Sequence, residues 1–203
     1  MIDRKRKIIV VHMPKCGGRS VQKALGIPEK GYGAPRHAAL GELYEKYPEV
    51  KTWPCYILVR NPFTRLVSQH NFVHYQVNVL GYRHPKKASL EHIPKMLNTD
   101  LQTFIDSTDW EEWLRIGKTN KYSQFRTNSD MGKVKGIYSE RLQPIYLETL
   151  TEQMKQLFGL DVPHLNSSPG KTPVWTPDNV GRIVEAFRED FDRFGYKLVP
   201  EDM

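Results

Sequence analysis

Cysteine is scarce: Cys16 and Cys55 are the only two in 203 residues. They make no metal-ligand spacing and too few pairs for a disulfide framework, unlike small secreted scaffolds. No apolar run is long enough to span a membrane. The opening MIDRKRKIIVV sets a basic segment before apolar residues. That run is too short for a secretory core and lacks a small-residue cleavage site, so a cytoplasmic protein is expected. Zinc-finger and RNA-binding signatures are lacking, and DRKRK is the only tight basic cluster. The net charge of +7 therefore suits a polyanionic cofactor or an acidic polymer, and no nucleic-acid partner is expected. Internal repeats and low-complexity tracts are lacking too. His70 and His74 stand four apart, but no Glu fills the metalloprotease position and no third ligand is near. They are read as surface or partner-facing residues, and no metal is expected.

The length supports one domain, residues 1–203, with a substantial core. Its organising stretch is IIVVHMPKCGGRSVQKAL, residues 8–25. Ile8 to Val11 form a short β-branched run, which predicts a buried strand. Pro14, Gly17 and Gly18 break it, and Val21 and Leu25 then recur at helical spacing. Lys15 lies in the turn and Ser20 at the helix start. Such a turn aims backbone N–H groups into one concavity at the positive end of a helix, and glycines let an anion approach closely. The expectation is a phosphate cradle; the alternative is a plain strand-to-helix turn. A Walker A loop is excluded, because Lys15 precedes both glycines.

Downstream, residues 26–36 are rich in Gly and Pro and read as a loop. His37 opens a helical pattern on Leu40, Leu43, Tyr44 and Tyr47, which Pro48 ends. Cys55 to Val59 predicts a second strand, running into Arg60. Asn61 can cap the next helix, with Pro62 in its first position and Phe63, Leu66 and Val67 facing inward. Strand, helix, strand, helix implies a parallel sheet. Residues 76–136 are polar and lack a sheet pattern. Helices are expected after Asp100 and from Asp109 to Ile116, the latter stopped by Gly117, with Trp110, Trp113 and Leu114 as core. Ile145 to Leu147 suggests a third strand. Thr149 and Glu152 spell a capping box before a helix that ends at Gly159. A loop at 164–175 follows. Thr176 and Pro177 then start a helix whose Val180, Ile183, Val184, Phe187, Phe191 and Phe194 form one core stripe, ended by Gly195.

The form P-K-C-G-G-x-S resembles the cofactor loop of sulfotransferases that use 3′-phosphoadenosine 5′-phosphosulfate (PAPS), especially their carbohydrate-modifying branch. Arg19 stands where that family usually has Thr. VRNPFTRLVS, residues 59–68, is similar to a second family pattern, V-R-N/D-P-x-x-R-x-x-S. There the strand-end Arg and the helix Ser hold the 3′-phosphate, which implies Arg60 and Ser68 here. If the match were incidental, Arg65 would be solvated. The loop HLNSSPGKTPVW resembles the family's late loop, with Lys171 either reaching a phosphate or simply exposed.

The resemblance implies a P-loop-type three-layer α/β domain with a central parallel sheet flanked by helices. Residues 76–136, which it does not cover, are read as an acceptor-binding insertion, since insertions between core elements commonly carry substrate contacts. The resemblance also implies transfer of a sulfuryl group from PAPS to a hydroxyl or amine of an acceptor, a carbohydrate above all, with no metal required. Cofactor contacts would come from Lys15, Cys16, Gly17, Gly18, Arg19, Ser20, Arg60, Ser68 and Lys171. Lys15 and His37 would be catalytic, His37 as general base, with His12 next in line. A nucleotide or small-molecule kinase and a non-catalytic binder of anionic polymers stay open.

Overall fold

The computed structural model describes residues 1–28, 37–75, 99–119, 126–163 and 171–200. Strand β1 is Ile2–Asp3, β2 Ile8–His12, β3 Cys55–Val59, β4 Lys133–Val134, β5 Ile137–Tyr138 and β6 Leu142–Tyr146. The helices are α1 Gly18–Ala24, α2 Leu40–Lys46, α3 Pro62–His74, α4 Leu101–Ser107, α5 Trp110–Thr119, α6 Asn128–Met131, α7 Leu150–Phe158, α8 Pro177–Ala186 and α9 Arg188–Phe194. The main sheet has the order β1-β2-β3-β6. Strands β2, β3 and β6 run parallel, while β1 pairs antiparallel with β2. The architecture is α/β, with a mixed rather than wholly parallel sheet flanked by helices. Both β2 and β3 are buried along their whole length, as the continuous apolar runs predict.

The antiparallel edge comes from the basic cluster. Asp3 accepts hydrogen bonds from the Lys5 and Arg6 N–H groups, both at 3.0 Å, and from Arg6 Nη1 at 2.7 Å. This carboxylate-centred turn folds DRKRK back onto β2. Arg6 also donates to Leu25 O at 3.0 Å, closing the end of α1. The cluster thus has a structural use that composition did not reveal.

Two apolar clusters support the chain. One joins the sheet to α1, α2 and α7 through Val21, Leu40, Leu43 and Met154. The other gathers α3, α4, α5, α8 and α9 around Phe63, Phe104, Ile183 and Phe187. Several local expectations need correction. Helix α5 runs through Gly117 to Thr119, because one glycine in a helix costs only ~1 kcal/mol against alanine. Thr149 precedes α7 without a side-chain cap bond. The last stripe is buried as expected, but it spans two helices that break at Phe187, whose backbone leaves the helical region. His70 is buried, not surface-facing: its Nε2 meets Thr99 O at 3.1 Å and its ring stacks on Phe104. Within 76–136, α4 and α5 contribute to the second core, while 76–98 and 120–125 lie outside the described residues. So do 164–170 of the late loop. No helix among the described residues is long and apolar enough to cross a membrane.

Candidate functional site

Parallel strands end side by side, so the loops after β2 and β3 emerge at one edge of the sheet. The first loop carries Lys15, Cys16 and Gly17. Lys15 and Gly17 both take left-handed backbone angles, φ 69° and 73°. For Gly17 the conformation is free; a Cβ there would also lie 2.7 Å from Leu147 Cδ1. For Lys15 it is strained, and such strain is held where surrounding structure insists on it. Cys16 turns inward between them. Its N–H goes to Met13 O at 3.3 Å, and its thiol lies 3.7 Å from Asn128 Oδ1. Burial pushes that thiol up to about 12, so it stays neutral. Ser20 is buried at the start of α1 and Arg19 is exposed.

The second loop begins with Arg60. Its Nη1 donates to Lys15 O at 3.2 Å, and its Nε donates to Thr64 Oγ1 at 3.0 Å. The guanidinium is therefore oriented from two sides. Asn61 caps α3 by accepting from the Phe63 N–H at 2.9 Å, with Pro62 in the first turn. Along α3, residues four apart share a face. Thr64, Ser68 and Phe72 make that stripe, and the Lys15 ammonium lies 4.0 Å over the Phe72 ring. The lysine loop thus runs beside α3, with half-buried Ser68 between the Arg60 anchor and the Lys15 ammonium. Lys171 has an exposed side chain, but its carbonyl accepts from Asn71 Nδ2 at 3.5 Å, which brings the end of the late loop to this helix.

Charge is concentrated here. Burial first, and the Arg60 guanidinium second, lower the Lys15 ammonium to about 8. Arg60 is also lowered, chiefly by burial. The repulsion registers on the lysine because it holds its proton less tightly than a guanidinium does. Glu148, just beyond β6, faces the same edge. It accepts from the Asn61 N–H at 2.9 Å and from the Tyr196 hydroxyl at 3.3 Å.

His37 precedes α2 and lies against the last residue of β2. Its Nδ1 is 3.1 Å from His12 O, and the two imidazole centroids are 4.5 Å apart. A carbonyl only accepts, so Nδ1 carries the hydrogen. In the neutral ring Nε2 then holds the lone pair, which is the form a general base needs.

Two contributors, Asn128 and Asp190, escaped the sequence reading, and a third, Arg65, was named there only as part of the second motif. Asn128 is fully buried; its Nδ2 donates to Arg60 O at 3.2 Å while its Oδ1 faces Cys16, so it spans both loops. Asp190 holds Asn128 in turn, accepting from the Asn128 and Ser129 N–H groups, both at 2.7 Å. Arg65, expected in solvent if the second motif were incidental, is fully buried, with Nη2 donating to Arg126 O at 3.2 Å and the guanidinium over Phe187. No local pattern could have announced Asn128, which acts on residues 68 and 112 positions away. Among the described residues no group of three or more His, Cys, Asp or Glu side chains is placed to hold a metal ion. Comparison with protein-family models, curated proteins and solved structures gives no match for this chain.

Proposed function

We propose that this chain is a sulfotransferase, moving a sulfuryl group from PAPS to a hydroxyl or amine of an acceptor, with carbohydrate as the favoured class. The scaffold in this reading is a P-loop-type three-layer domain. The observation that supports it most is the pairing of Lys15 with Arg60 at the ends of adjacent parallel strands. Two partly buried cations in one place are unfavourable; Glu148 offsets part of the Arg60 charge, and a bound anion would offset both. A 5′-phosphosulfate would lie along Lys15, Cys16, Gly17, Gly18, Arg19 and Ser20. Arg60 and Ser68 would hold the 3′-phosphate, and Lys171 would approach from the late loop.

The chemistry asked of the chain is modest. His37 Nε2 takes the acceptor's proton as the acceptor atom bonds to sulfur. The bond from sulfur to the bridging oxygen breaks, and Lys15 offsets the charge growing on that oxygen. The products are a sulfated acceptor and adenosine 3′,5′-bisphosphate. No metal is needed in this scheme, because a transferring sulfuryl group carries less charge than a phosphoryl group.

Calorimetry with adenosine 3′,5′-bisphosphate, with and without chelator, provides the test. Binding is expected to be unchanged by chelation and to weaken as the pH rises past about 8. The sign follows from linkage. A bound anion raises the Lys15 pKa, so at alkaline pH the free protein loses its proton first and binding must restore it. Strict Mg²⁺ dependence with a preference for ATP would support the kinase reading instead. Tight binding without turnover of labelled PAPS would support the non-catalytic binder.

Arg60→Ala should weaken bisphosphate binding by roughly 1.5–3 kcal/mol, the scale of one charge-assisted hydrogen bond. It should also lose discrimination against adenosine 5′-phosphate, which has no 3′-phosphate. Unchanged discrimination in a folded variant contradicts the assignment of Arg60.

A further inference from the structure

We infer that His12 is a positioning residue that couples the phosphate loop to the base, and that Gly18 is glycine to make room for it. The kinetic part rests on the sulfotransfer reading above. His12 is the last residue of β2 and is buried. It touches both halves of the site. On one side, a Cβ built on Gly18 would overlap the His12 imidazole, at 1.9 Å from Nε2 and 2.1 Å from Cδ2 and Cε1. On the other side, the ring packs against His37 at 4.5 Å, tilted by 55°, while the His12 carbonyl meets His37 Nδ1 at 3.1 Å.

The two glycines of the loop therefore do different work. Gly17 is needed for its left-handed backbone. Gly18 has no such need: it is the first residue of α1, and its φ is outside the left-handed region. Alanine would suit its backbone better than glycine, since glycine has the greater conformational entropy to lose. What excludes alanine is the His12 ring. The ring packs against both the start of α1 and His37, so displacing it from a side chain at position 18 changes its fit with His37. The spacing from phosphate loop to base is then set by one imidazole. The sequence suggested instead that both glycines serve the approach of an anion.

A double-mutant cycle tests the coupling. Gly18→Ala should lower the melting temperature and weaken bisphosphate binding about tenfold or more, since it displaces the ring into its neighbours. His12→Ala should leave the Kd for bisphosphate within about threefold. It should lower kcat by roughly 10- to 100-fold with little change in the KM for PAPS, the scale of a misplaced catalytic group. In the double variant, bisphosphate binding and melting temperature should return close to those of His12→Ala, because the clash partner is gone, while kcat stays low. A double variant as poor as Gly18→Ala shows that Gly18 serves the ligand directly and overturns the inference. So does wild-type kcat in His12→Ala.

A separate readout needs no turnover. In ¹⁵N spectra of labelled imidazoles, His37 should keep the Nδ1–H tautomer in both the wild type and His12→Ala, because the backbone carbonyl remains, but its ring signals should shift and broaden in the variant, where the packing partner is lost. If the wild type neither binds bisphosphate nor transfers sulfate, the sulfotransfer reading fails, and the melting-temperature cycle and the His37 spectrum still decide the coupling. An unchanged His37 spectrum in His12→Ala overturns it in either case.

Discussion

Replacing His37 with alanine is expected to lower kcat by about 10²–10⁴, the range spanned by loss of a positioned general base. An acceptor hydroxyl is a poor nucleophile until its proton leaves. Neutral imidazole suits that task, and the His12 carbonyl selects the tautomer with its lone pair on Nε2. Affinity for adenosine 3′,5′-bisphosphate should hardly change, because no phosphate contact is assigned to His37. In the wild type, turnover should decline as acid pH protonates the imidazole, and that acid limb should disappear in the variant. Wild-type turnover in His37→Ala would remove the residue from the mechanism and leave His12 as the next base to test.

Lys15→Ala should lower kcat by about 10²–10³, the effect of deleting one preorganised donor at a developing oxyanion. Two features hold the ammonium in place. The loop takes a left-handed turn at Lys15 itself, and the Phe72 ring fixes the ammonium at 4.0 Å. Burial and Arg60 lower its pKa to about 8, so the free protein should lose kcat/KM as the pH rises through that value. The corresponding limb in kcat should lie higher, since bound anion favours the charged form. Lys15→Ala should abolish the alkaline limb. A rise in KM with kcat intact would make Lys15 a binding residue and nothing more.

Those two side chains were both visible in the sequence, for different reasons. Lys15 stands in a short motif that joins a strand to a helix, so its place at the strand end follows from chain connectivity. Arg60 follows by the same logic at the next strand. His37 rested on the resemblance and on the loop before it, which is weaker, because the carbonyl that orients it lies 25 residues away in the chain. Asn128 had no signal at all. A buried asparagine is a single letter in a polar stretch, and its partners belong to loops far away in the chain.

The sequence alone determined the local elements: the apolar runs that became β2 and β3, the Asn61-Pro62 and Thr176-Pro177 helix starts, and the glycines that end α7 and α9. It did so because strand runs, caps and left-handed termini depend on neighbours within a few residues. Tertiary structure decided the rest. It added β1 antiparallel at the sheet edge, since two residues are too short to show a period. It buried Arg65 and Asp190, and it broke the last stripe into two helices at Phe187. It gave Gly18 a reason that concerns His12 rather than its own backbone. Above all it brought Lys15, Arg60 and the Thr64-Ser68-Phe72 face of α3 together, because adjacent parallel strands must deliver their following loops to the same edge.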